Sequence, residues 1–97
     1  MPFCTIVEFE WVEGFGQEQF ASMIERAGPV HELPAGCVSR IAGVDDAGAR
    51  VIEVWRSEDD ARAFAEQSAP DLAALPLPAP SRVMGFPTTA YVVAPAS

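Results

Sequence analysis

Apolar residues recur at two periods along the chain. From Phe3 to Trp11 the period is two, with Phe3, Thr5, Val7, Phe9 and Trp11 on one face and Cys4, Ile6, Glu8 and Glu10 on the other. Aromatic and β-branched residues in that alternation predict a strand, which Gly14 and Gly16 then break. Gln17 to Ala27 changes period: Phe20, Met23, Ile24 and Ala27 stand at i, i+3, i+4 and i+7, the inner stripe of a helix. Gly28-Pro29 stops it, and a loop, GPVHELPAG, leads to a second short strand at Cys37–Ala42. GVDDAG, rich in turn formers, joins that strand to a third at Ala49–Arg56, so the two form a hairpin.

The second half repeats the change of period. Ser57 caps a helix, with Asp60 at the third helical position where a capping box places a carboxylate. Glu58, Asp59 and Asp60 suit the positive end of the helix dipole. Ala61, Phe64, Ala65 and Ser68 form the inner stripe. Pro70 ends this helix or opens a short new one, DLAAL, as a first-turn proline. Pro76, Pro78 and Pro80 keep the next segment extended. Arg82–Phe86 and Thr89–Ala94, separated at Pro87, read as a last strand with a bend or as two short ones. The order is β-α-β then β-α-β, an α+β ferredoxin-like βαββαβ sandwich. Both helices cover one face of such a sheet and leave the other bare. An apolar bare face calls for a partner, and a second copy is the simplest one.

Ninety-seven residues make a single domain with a modest core, 1–97. Fourteen acidic and six basic side chains give a net charge of −8, which repels phosphate backbones and anionic membrane surfaces. No apolar run approaches the roughly 18 residues of a membrane span, and the acidic N-terminal segment is unlike a signal peptide. A cytoplasmic protein is the expectation. Two cysteines and one histidine do not match metal-site spacing, so Cys4 and Cys37 read as small buried hydrophobes and no metal is expected.

VIEVWRSEDDARAFAEQ, preceded by Gly48 and followed by Pro70, Leu72 and a proline-bearing loop, resembles the antibiotic biosynthesis monooxygenase-like family. Glu53, Trp55, Ser57, Ala61 and Phe64 carry the resemblance, which extends from Cys37 to Val93. It implies two ferredoxin-like subunits joined as a dimeric α/β barrel. Its members include cofactor-free oxygenases of polycyclic phenols, polyketide cyclases and haem-degrading enzymes, and one fold with so many uses selects none of them.

Candidate chemistry rests on few residues. His31 has the one side chain whose ordinary pKa lies near neutrality, and Glu32 beside it would orient it; its other reading is a surface-loop histidine. Arg40 would stabilise a phenolate or enolate, unless it is spent on pairing with Glu53. Glu53, in the middle of a central strand, must be hydrogen-bonded, paired or open to a cavity, and in a cavity it would serve as a general base. Trp55 shares its face and offers a flat wall for an aromatic ligand, or is core. Phe86 and Tyr91 flank the bend, and Tyr91 would donate to a quinone-like oxygen. No dinucleotide fingerprint, phosphate loop or serine elbow is present, and no cofactor is expected. The expected function is cofactor-independent oxygenation of an aromatic polyketide-like compound through its carbanion or phenolate. An aldol-type cyclase and a non-catalytic small-molecule-binding dimer are the alternatives.

Overall fold

A computed structural model describes residues 1–26, 33–73 and 78–90. The elements follow in the expected order: β1 (Phe3–Glu10), α1 (Gln17–Arg26), β2 (Cys37–Val44), β3 (Gly48–Trp55), α2 (Glu58–Ala73) and β4 (Arg82–Pro87). The strands form one antiparallel sheet in the order β2-β3-β1-β4, the ferredoxin-like arrangement.

Strand parity divides the sheet into two unlike faces. On one, Phe3, Thr5, Val7 and Phe9 stand opposite Trp55, Glu53, Val51 and Ala49. The α1 stripe packs there, with Phe20 and Met23 buried against Phe9, Ala49 and Val51 and Ile24 beside them. From α2, Phe64 meets the Trp55 indole at a ring distance of 5.3 Å. The other face carries no helix among the described residues. Ile41, Ile52, Ile6 and Met84 form one row across its four strands, and Val54, Cys4 and Phe86 form the next. Arg50, Glu8 and Arg82 close that face at one end, with Arg50 3.5 Å from Glu8.

Local chemistry explains the boundaries. Gly16 opens α1, its N–H donating to Gln19 Oε1 at 2.8 Å. Ser57 caps α2 as expected, accepting from the Asp60 N–H at 3.1 Å. Asp60 has its carboxylate against Gly36, which sits at a φ of 83° and has no room there for a Cβ.

Several expectations need correction. β2 runs to Val44 rather than Ala42, because Asp45 alone closes the turn: its Oδ1 accepts from the N–H groups of Ala47 and Gly48 at 2.8 and 3.0 Å. Two ladder positions are thereby released to the strands. Gly48 belongs to β3, where a Cβ would run into the Phe9 carbonyl oxygen. Pro70 neither ends α2 nor starts a new helix; it lies inside α2. Its fixed φ suits a helix, and the carbonyl it leaves unbonded, that of Glu66, lies on an exposed stretch within reach of water. Ala65 is exposed rather than part of the inner stripe. Phe15, absent from the expected core, is among its most buried side chains at 1% exposure. A two-residue turn, with Gly14 at a φ of 85°, folds it back against Phe9 and Trp11.

Candidate functional site

Among the described residues the helix-covered face holds one charged pair. Arg40 on β2 and Glu53 on β3 are direct cross-strand partners. Arg40 Nη2 and Nε donate to the same oxygen, Glu53 Oε2, at 2.8 and 2.9 Å. The side chains keep only 12% and 11% of their exposure. Such desolvation is costly for two ions, and their mutual contact offsets it. Both Arg40 nitrogens crowd onto Oε2, and among the described residues no donor reaches Oε1. The arrangement fixes the carboxylate through Oε2.

The neighbours are set by register. Trp55, two residues along the same face, is 1% exposed, and its Nε1–H donates to Thr5 Oγ1 at 3.1 Å. Thr5 is itself the β1 partner of Glu53. Cys37 faces Trp55 across β2 and β3, just before a bulge, and its thiol donates weakly to the Ser39 carbonyl at 3.4 Å. Burial pushes the Cys37 thiol above its ordinary pKa; the Glu53 carboxylate adds to this and Arg40 opposes it. The shift favours the protonated thiol, the less nucleophilic form. Burial also raises the Cys4 thiol, on the bare face.

Of the expected site residues, the structure brings Arg40, Glu53 and Trp55 together. Arg40 is paired with Glu53, the ordinary alternative to oxyanion binding. Trp55 is both sheet core, through Phe64, and a wall of the Glu53 environment. Phe86 is separated from them: it pairs with Cys4 and so projects from the bare face, 40% exposed. His31 and Tyr91 lie outside the described residues. Sequence reading passed over Thr5 and Cys37. The signal for Thr5 was present, a hydroxyl interrupting the apolar face of the first strand.

A groove of about 510 Å³ lies away from this cluster, on the bare face near the β2–β3 turn. Glu8, Ile41, Asp45, Arg50, Ile52 and Ser81 are among its walls. The chemistry and the groove are therefore on opposite sides of the sheet. Among the described residues no three His, Cys, Asp or Glu side chains are grouped to hold a metal, and no helix is long and apolar enough to cross a membrane.

No protein-family model and no curated protein matches the chain. Solved structures do. SnoaB, a cofactor-independent oxygenase from Streptomyces nogalater, superposes with a TM-score of 0.65 at 18% identity, over 94% of this chain and 96% of that one. A monooxygenase from the ActVA-Orf6 gene of Streptomyces coelicolor, solved with nanaomycin D, gives 0.64 at 19% identity, over 96% and 92%. The chain shares the ferredoxin-like α+β fold of these structures. A heme-degrading protein from Mycobacterium tuberculosis gives 0.63 at 21% identity, over 96% and 100%. Identities this low carry the fold and leave substrate and mechanism to the residues of this chain.

Proposed function

We propose that the chain is a small cofactor-independent oxygenase acting on an aromatic, polyketide-like compound. The observation that carries this reading is the buried Arg40–Glu53 pair, held through Glu53 Oε2 and set beside Trp55, in a fold shared with a cofactor-independent oxygenase. Such a reaction asks little of the protein: a base, a cation for the oxyanion, and exclusion of water. Glu53 Oε1 takes a proton from an activated ring CH₂. Arg40 holds the carboxylate in place and its remaining N–H groups face the developing phenolate. The electron-rich anion reduces O₂: a C–O bond forms, the O–O bond breaks, and CH₂ plus O₂ become C=O plus H₂O. His31 and Tyr91 enter this reading as proton carriers and Phe86 as a contact to substrate across the assembly.

A second copy of the chain, covering the bare face, belongs to the same proposal. The row of Ile41, Ile52, Ile6 and Met84 is apolar across all four strands, the next is apolar over Val54, Cys4 and Phe86 with Ser39 at its β2 end, and Ile41 is 63% exposed. Exposed apolar area of this kind is stabilised by association.

Oxygen uptake with an anthrone-type substrate tests the oxygenase. Consumption of one O₂ per quinone formed, lost in Glu53→Gln, is expected. Product made without oxygen consumption would replace the oxygenase with a cyclase, and binding without turnover would leave a ligand-binding dimer.

A further inference from the structure

The two edges of the sheet, β2 and β4, are unlike. β4 ends on Pro87, starts just after Pro80 and carries the exposed Arg82. Prolines and exposed charges are what natural edges use against further pairing. β2 has no proline and no lysine, and its one charge, Arg40, is turned to Glu53. Leu33 to Val44 also holds none of the fourteen acidic residues, so the strand sets no acid against acid when two chains of net charge −8 approach. Ile41, Ala42, Gly43 and Val44 are all exposed, Ile41 to 63%.

The ladder fixes which backbone groups of β2 are unused. The Asp45 N–H donates to the Gly48 carbonyl at 2.9 Å, which makes theirs a hydrogen-bonded pair. Such pairs alternate with non-hydrogen-bonded ones along an antiparallel ladder, and the register from Val44 back to Ser39 is unbroken. Gly43 and Ile41 therefore spend their N–H and C=O groups on β3, and those of Arg40, Ala42 and Val44 point outward. Among the described residues none of these six groups has a partner.

We infer that β2 is a docking strand for the β2 of a second copy, antiparallel, with Ala42 paired to the partner's Ala42. A two-fold axis must pass through a residue that meets its own copy. Centred on Arg40 it would oppose two guanidinium groups, and centred on Val44 it would run past the end of the strand. Centred on Ile41 it would set Val44 against the irregularity between Cys37 and Ser39. Centred on Ala42 it pairs Arg40 with the partner's Val44 and bonds all six outward groups. The same alignment lays Ile41 opposite the partner's Gly43, where there is open space in place of a Cβ. Two four-stranded sheets are thereby joined edge to edge. Ala42 lies opposite Val51, on the helix-covered side, so this contact is separate from one across the bare face, and it does not rest on the oxygenase reading.

Disulfide trapping under mild oxidation tests the pairing, because cross-linking accumulates even a weak contact. Ala42→Cys, Ile41→Cys and Gly43→Cys all change exposed positions, and the wild type reports on Cys4 and Cys37. The two Cα atoms of a hydrogen-bonded pair lie about 5.5 Å apart, within the range a disulfide bridges. Ala42→Cys should form a covalent dimer at least about 10-fold faster than Ile41→Cys or Gly43→Cys alone, whose thiols stand off the axis. An equimolar mixture of Ile41→Cys and Gly43→Cys should cross-link although neither does so by itself. Equal rates for all three variants would mark random collision and overturn the inference. So would an Ala42→Cys chain that stays monomeric at millimolar concentration, or selective cross-linking of Ile41→Cys alone. None of these results depends on turnover, which oxygen uptake reads separately.

Discussion

Removing one side of the Arg40–Glu53 pair should cost far more than removing both. The two side chains keep 12% and 11% of their exposure, so each charge depends on the other rather than on water. Breaking such a pair leaves an uncompensated buried ion, at a cost of about 3–5 kcal/mol. For a domain of this size each kcal/mol moves the melting temperature by roughly 4–8 °C, so Glu53→Leu should lower it by about 12 °C or more. Arg40→Met should behave alike. Arg40→Met with Glu53→Leu should recover most of the loss, since apolar residues of similar volume replace buried ion pairs at little or no cost. The assay is urea denaturation followed by circular dichroism at fixed protein concentration, because association would add its own stabilisation. A coupling above about 2 kcal/mol in this double-mutant cycle confirms desolvation of the carboxylate. A coupling under about 1 kcal/mol, the range of exposed pairs, would refute it and remove the ground for Glu53 as a base.

Further outcomes follow from other parts of the fold. Gly48→Ala should destabilise the protein by about 1–3 kcal/mol, since its methyl meets the fixed Phe9 carbonyl, whereas Gly43→Ala, with open space around it, should be nearly neutral; equal effects in thermal melts would refute this. The Ala47 and Gly48 N–H groups hold the Asp45 carboxyl below its ordinary pKa. Its contribution is therefore fully present above the ordinary value near 3.9 and lost as the pH falls through the lowered one. Wild type should exceed Asp45→Ala in stability at pH 7, with the gap closing only in strong acid; a gap independent of pH would contradict it. Ile52→Lys, in the middle of the bare face, should convert a dimer to a monomer by light scattering, and a wild-type chain already monomeric at high concentration would rule the second copy out.

The sequence by itself determined the elements and their order. Period two in FCTIVEFE and VIEVW and the stripe of Phe20, Met23 and Ile24 are local signals that survive folding, because burial on one face selects them. Ser57 as a cap was legible for the same reason, the bond to the Asp60 N–H spanning only three residues. Pro70 misled because a proline signals a missing N–H and not whether water can serve the carbonyl left behind. Phe15 was missed because its burial depends on a turn at Gly14 that no periodicity marks.

Only tertiary structure decided what Glu53 meets. The sequence placed it on a central strand beside Trp55, and its chemistry then depended on which strands flank it. Register put Arg40 on one side and Thr5 on the other, partners 13 residues away for the ion pair and 50 residues apart for the Trp55–Thr5 bond. The same register sent Phe86 to the opposite face, since adjacent strand positions point to opposite sides. A cluster assembled across three strands is a property of their alignment, and a single strand's residues do not record it.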